Sequence, residues 1–336
     1  MGGIASSRLA TIGISAMNRY GILFLGIIGI WGNLLNVYIF SRPHLRRNTC
    51  VLCLLISSFL NLIILIFGVF LRCLMGYNID LTYNASIFCP MRYYLIYVCQ
   101  SGSLWLIVLA CVDRYLSSSL NIIHRQWMNR KRTNRIILFI LIFSLLCYVE
   151  VFYCFEASFI TNGYCKTKDK YCSYIDTASY LIFNSFLPSS LMLGFGAGML
   201  INIKRSYQRI GQLPSYIGSI NKINRRDKQL ISMLLLQVAL IGICMFPISI
   251  IKFYLSITIS IEKANEQIYN EYFAYQLSVA ISYINPSGMF FVHTLRGKLF
   301  RTELIRLFNR LKYHSHRNLL CRRISQIMWA HPINRF

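Results

Sequence analysis

Residues 93–115 read YYLIYVCQSGSLWLIVLACVDRY. Twenty uncharged residues, Tyr93–Val112, run directly into Asp113-Arg114-Tyr115. At 1.5 Å of rise per residue, about 20 helical residues cover the roughly 30 Å of a bilayer's hydrocarbon. The acid–base pair therefore falls where lipid gives way to water, and charge in that position is costly enough to imply a task. The same length rule selects six further stretches: Tyr20–Phe40, Cys50–Leu71, Ile136–Phe155 (interrupted by Glu150), Thr177–Ile203, Leu230–Ile251 and Tyr272–Leu295. Composition agrees. Of 336 residues 56% are hydrophobic and the mean hydropathy is +0.50, more apolar surface than a soluble domain can bury. Backbone groups in lipid must bond within their own segment, so the stretches are helices, and no alternation suggests a β-barrel. The expected fold is an all-α membrane protein, a seven-transmembrane helix bundle.

Basic residues orient it. Loops 42–48, 114–135 and 204–228 hold three, six and seven Lys or Arg and the segment 293–336 holds ten, out of 35 in all. The positive-inside rule places these in the cytosol and the N-terminus outside, as for a multi-pass protein of the plasma membrane. The net charge of +24 is explained by anionic inner-leaflet lipid. It is scattered over loops rather than gathered on one face, which argues against a nucleic-acid partner. Four regions are expected: an extracellular tail 1–19, the seven-helix domain 20–295, an amphipathic surface helix 296–312 and a basic cytoplasmic tail 313–336. Leu299, Phe300, Leu304, Leu307, Phe308 and Leu311 recur at helical spacing among Arg and Lys, which is the pattern of a helix lying on the membrane surface. Residues 1–19 lack an apolar core, so the first span is expected to serve as signal anchor.

Cys89 and Asp113 are 24 positions apart, about 36 Å of helix. One is at the outer surface when the other is at the inner. The outside is oxidising, so Cys89 can pair with Cys165 or Cys172 from the loop after span four. Cys165 has more slack and is the better placed. Most of the 12 cysteines lie within spans and read as small core residues.

Several motifs now fall in order along the spans: Gly32-Asn33, Cys89, Asp113-Arg114-Tyr115, Pro188, Cys244-Met245-Phe246-Pro247 and Asn285-Pro286. Together they make residues 20 to about 312 resemble a rhodopsin-like (class A) G-protein-coupled receptor, of the divergent peptide- or chemoreceptor type found in invertebrates. The resemblance implies a Cys89–Cys165 disulfide and a coupling switch of Asp113, Arg114, Tyr115 and Asp227. In the resting state Arg114 would pair with Asp227, twenty residues before Pro247. It also implies pivots at Pro247, Asn285 and Pro286, and a core polar cluster of Asn33, Ser58, Ser103 and Ser282. Departures are equally clear. Ser58 stands where the family carries a sodium-binding Asp, so sodium and other metal or cofactor binding are not expected. Met245 replaces the span-six Trp, Met289 the span-seven Tyr, and Gly196 the span-five Tyr.

Ile96 occupies the position that carries Asp in amine receptors, and no Lys lies within Tyr272–Leu295 to hold retinal. Arg92, Tyr97, Gln100, Glu150, Lys252 and Tyr275 are the outward polar candidates for a ligand pocket. Both charge signs and several tyrosines suit a peptide, although long basic side chains at such positions also reach headgroups. Asn84-Ala85-Ser86 is an outward glycosylation sequon at Asn84. No hydrolase or metalloprotease arrangement is present, and the His residues are expected only in inner loops and tail. The expected function is transduction of an extracellular, peptide-like ligand to a heterotrimeric G protein. The alternatives are a non-signalling decoy or scaffold receptor, or a transporter; seven spans do not divide into two equal repeats.

Overall fold

A computed structural model describes residues 12–77, 79, 87–119, 121–157, 165–210, 217–296, 301–307 and 309, with side chains described everywhere except 206–210, 217–231 and 294–296. Seven long helices make up the bundle. They are α1 Ile12–Phe40, α2 Thr49–Gly76, α3 Phe88–Ser118, α4 Arg130–Cys154 and α5 Lys170–Arg205, followed by α6 Ile217–Ile257 and α7 Asn265–Arg296. Six are long and apolar enough to cross a membrane, α6 through its Ser232–Ile257 portion. Helix α7 has the length, 32 residues, but Glu266, Glu271, Gln276, Ser278 and Asn285 dilute its apolar character. Trp31, Phe139, Leu146, Phe186 and Ile243 point outward and are largely exposed, as lipid-facing side chains must be.

The helix boundaries depart from the uncharged stretches wherever a charge is absorbed by packing. Helix α1 is already helical at Ile12, the first described residue, ahead of Tyr20. Arg19 is accommodated because its Nε donates to the Gly76 carbonyl at the end of α2 and its guanidinium lies 5.0 Å from the Tyr77 ring centroid. Helix α5 begins at Lys170, where Asp169 accepts from the Cys172 amide at 2.8 Å as N-cap. Helix α4 is broken near its end. The regular part stops at Cys147, three turn residues follow, and one further turn spans Val151–Cys154. The Tyr94 hydroxyl donates to the Leu145 carbonyl at 3.0 Å and so satisfies one group released by that break.

Helix α3 is the central member, with Leu106, Ile107 and Ala110 fully buried among α2, α5, α6 and α7 residues such as Leu54, Met192, Ile241 and Met289. Helices α1 and α7 meet through glycine. A Cβ on Gly29 would lie 2.7 Å from Ser287 Oγ, and one on Gly32 would lie 2.6 Å from Phe290 Cβ. This is the close approach that small residues permit between membrane helices. Short π-helical segments interrupt α1, α2 and α5 at Met17–Gly21, Leu65–Val69 and Leu181–Phe186. In the π register the Phe183 carbonyl should bond to residue 188, but Pro188 has no N–H. The Trp105 indole takes that place at 3.2 Å.

Between α4 and α5 a two-stranded antiparallel hairpin forms, β1 Phe155–Ala157 and β2 Cys165–Thr167, with Glu156 opposite Lys166. After α7, residues 301–307 are helical. Leu304 packs against the core, and Glu303 faces His44 at 3.7 Å. Residues 1–11, the region around Asn84 and residues 310–336 lie outside those described.

Candidate functional site

At one end of α3, Asp113 and Arg114 are both buried. The Arg114 guanidinium donates to Asp113 Oδ2 at 2.6 and 3.1 Å. It also donates to Asn48 Oδ1 at 3.0 Å. The Thr49 hydroxyl donates to Asp113 Oδ1 at 2.5 Å. Asn48 is the N-cap of α2, accepting from the Cys50 amide at 3.0 Å. One amide oxygen thus caps a helix and accepts from Arg114. The pair is satisfied by the start of α2 as well as by itself, which is how buried charge becomes tolerable. Tyr115 turns the other way, 5.6 Å from the Phe195 ring on α5 and against Gly198, where a Cβ would come within 2.7 Å of the tyrosine ring. Position 227 lies on the α6 backbone; its side chain, and so any Arg114–Asp227 pair, is outside those described.

At the Cys89 end a cavity encloses about 730 Å3, counting its open mouth. Arg92, Tyr97, Gln100, Lys252 and Tyr275 line it, as does Arg72. Glu150 is a correction: it does not line the cavity. It sits at the break in α4, just before Val151. The acid beside the cavity is Asp176, which pairs with the lining residue Lys252. Lys252 donates to Asp176 Oδ2 and to the Tyr97 hydroxyl, both at 2.7 Å. Its ammonium also lies 4.5 Å from the centroid of the Tyr180 ring and 4.8 Å from that of Tyr97, a caged cation. Gln100 extends from α3 between neighbours, donating to the Tyr180 hydroxyl at 3.0 Å and reaching Met245 Sδ at 3.1 Å. Helices α3, α5 and α6 are therefore joined by polar contacts at the level where Met245 stands.

From Arg92 to Ser103 the cavity descends 11 residues of α3, about 16 Å. At its base Ser103 donates to Asn61 Oδ1 at 2.8 Å and shares a hydrogen bond with Ser57 at 2.7 Å. Among the described residues the expected cluster member Ser58 bonds only to the Leu54 carbonyl of its own helix, and Ser282 only to that of Val279. A helix carries residues 57 and 58 about 100° apart, so only Ser57 faces α3. Asn33 joins α1 to α7, donating to the Gly29 and Pro286 carbonyls at 2.8 Å each. Asn285 is buried at the cavity floor. Pro247 lies within α6 and Pro286 within α7. Near the first, Ser249 Oγ bonds to the Met245 carbonyl at 2.9 Å. His293 is a second correction: it is buried on α7 against Phe40, with ring centroids 5.1 Å apart, rather than in an inner loop or the tail.

Two disulfides close the Cys89 end. Cys89 is bonded to Cys165, with Cα atoms 5.5 Å apart. Cys154 is bonded to Cys172, with Cα atoms 5.1 Å apart. The hairpin is thus tied to α3 through β2, and the end of α4 to the start of α5.

A family model described as the 7 transmembrane receptor (rhodopsin family) matches residues 32–287. The chain belongs to this family. No curated protein matches it. As a rhodopsin-family receptor it is a multi-pass membrane protein that binds an extracellular ligand and signals to a G protein, with no catalytic step of its own. Within the receptor, sequence reasoning missed Asp176, Cys154, Asn48, Thr49, Ser57 and Asn61. Two of these had readable signals. Asn48 directly precedes an apolar run, an N-cap signature. Asp176 and Lys252 flank uncharged stretches at matching ends of consecutive spans, with opposite sign.

Proposed function

We propose that this receptor lies in the plasma membrane with the Cys89 end outside, and that it takes a peptide ligand. The carrying observation is the cavity at the Cys89 end, deep, tyrosine-walled and charged, with Lys252 on its wall and Asp176 behind it as its partner. Peptides offer the mix of aromatic, amide and charged groups that such a wall can match. The orientation rests on the basic loops, which all lie at the Arg114 end. The helix 301–307 is read as lying on the inner surface, its Leu304 inward and Arg301 and Arg306 exposed.

Signalling follows as a population shift. At rest Asp113, Asn48 and Asp227 share Arg114. A ligand that favours the splayed packing of α6 frees the guanidinium for the G protein. The test is a G-protein activation assay on cells expressing the full chain, challenged with a peptide library. Arg114→Ala is expected to abolish the response at unchanged surface expression. Asp227→Ala is expected to raise ligand-free signalling severalfold, and unchanged basal and stimulated signalling would remove Asp227 from the switch. Peptide binding at the cell surface without G-protein activation would instead mark a decoy receptor.

A further inference from the structure

The cavity at the Cys89 end holds more positive charge than its own acid neutralises. Arg72, Arg92 and Lys252 all line it, and among the described residues only Lys252 has a carboxylate partner there, Asp176. Arg72 is 9% exposed and donates to the neutral amide oxygen of Gln276 at 2.6 Å. Among the described residues Arg92 reaches only the Met75 sulfur, at 3.5 Å. A thioether is a weak acceptor and a poor terminus for a guanidinium. Met75 and Arg72 are three residues apart on α2 and share a helix face, so the contact brings the two guanidiniums to one wall of the cavity.

Arginine cannot shed its proton, and two unneutralised cations this close to the bilayer are costly. Each retains donors of its planar fork, which match a carboxylate's two oxygens. Among the described residues no carboxylate lines the cavity, and Asp176 beside it is already engaged by Lys252, so an incoming amine finds no free counter-charge there. The walls beside the arginines are aromatic, with Tyr93, Tyr275 and Tyr283.

Building on the peptide reading, we propose that the part of the ligand that enters this cavity is acidic, with a carboxylate seated on Arg72 and Arg92. The carboxylate comes from the peptide's C-terminus or from an Asp or Glu side chain near the inserted end.

Synthetic peptide pools in four forms separate these sources. They contain either Glu or Gln, each with a free or an amidated C-terminus, and are applied to cells expressing the full chain with G-protein activation as readout. Activation is expected to follow the acid at one of the two positions. Arg72→Gln and Arg92→Gln are each expected to raise the half-maximal concentration of the acidic peptide about thirtyfold or more. They should leave the response to its weaker neutral analogue unchanged. Surface expression is measured alongside, and Arg92→Gln, at the less buried site, keeps the test valid if Arg72→Gln fails to reach the surface. Activation by neutral or basic peptides that ignores both substitutions overturns the acidic ligand and leaves the peptide reading intact. Activation only by a fatty-acid carboxylate, lost in the same variants, overturns the peptide reading and keeps the acidic group. No activation by any acidic probe overturns the proposal.

Discussion

Lys252 shows how a single residue can be costly and retained. An ammonium toward the Cys89 end of a membrane helix is tolerated here because Asp176, the Tyr97 hydroxyl and the rings of Tyr97 and Tyr180 surround it. Removing one member of such a pair leaves a buried charge alone, which costs about 3–5 kcal/mol, whereas replacing both with apolar groups is often neutral. Lys252→Met is therefore expected to lower the melting temperature of the purified, ligand-free receptor sharply. The Lys252→Met, Asp176→Leu double variant is expected to recover most of that loss. A double variant as unstable as the sum of the two singles would mean the pair is not the unit described. Nothing in the apolar pattern near either residue reveals the pair. What sequence does show is a charge at the edge of each span; which charges meet is set by how α5 and α6 pack.

For elements, the bilayer's thickness made the helices readable and their ends hard to place. Each span exceeds the hydrophobic length, so its middle is unambiguous. Its ends depend on whether a neighbour can absorb the first charge, as Gly76 and Tyr77 do for Arg19. The break in α4 was invisible for a related reason: Cys147, Tyr148 and Val149 are all compatible with helix, and Glu150 read as a buried ligand group rather than as the mark of a turn. Close helix contacts are similarly tertiary. Gly32 and Gly194 look alike in sequence, yet a Cβ on Gly32 collides with Phe290 while one on Gly194 meets nothing within 4 Å. Gly32→Ala is expected to cost about 1–3 kcal/mol through overpacking. Gly194→Ala is expected to stabilise by about 0.5–1 kcal/mol, since alanine suits a helix interior better. Thermal unfolding of the two variants side by side checks both signs.

Across the whole molecule, the two ends are built differently. The Arg114 end relies on shared hydrogen bonds that can be exchanged, while the Cys89 end is fastened covalently. The Cys154–Cys172 bond closes a separation of 18 residues and the Cys89–Cys165 bond one of 76. On chain-entropy grounds these contribute about 3 and about 4.5 kcal/mol. Cys154→Ser with Cys172→Ser is expected to lower the melting temperature and weaken ligand response, while leaving the Arg114 contacts, and so basal signalling, unchanged. Paired measurements of unfolding and of G-protein activation check this. The Asp113–Arg114 contact was legible because the two residues are adjacent in sequence. The cavity was only half legible because its walls come from five helices.

The 41 residues of α6 carry a consequence of a mechanical kind. Pro247 divides the helix unequally. About 15 Å of rod lies beyond it toward Ile257 and about 45 Å toward Ile217, at 1.5 Å per residue. Lys252 is only five residues from this proline, about 7.5 Å along the axis. Treated as a rigid lever turning about Pro247, the helix magnifies motion roughly sixfold between Lys252 and its far tip. A shift of about 1 Å in the caged ammonium, no more than a change of hydrogen-bond partner requires, would swing the tip by about 6 Å. The place where the charge pair is anchored thus has high leverage on the opposite face of the membrane.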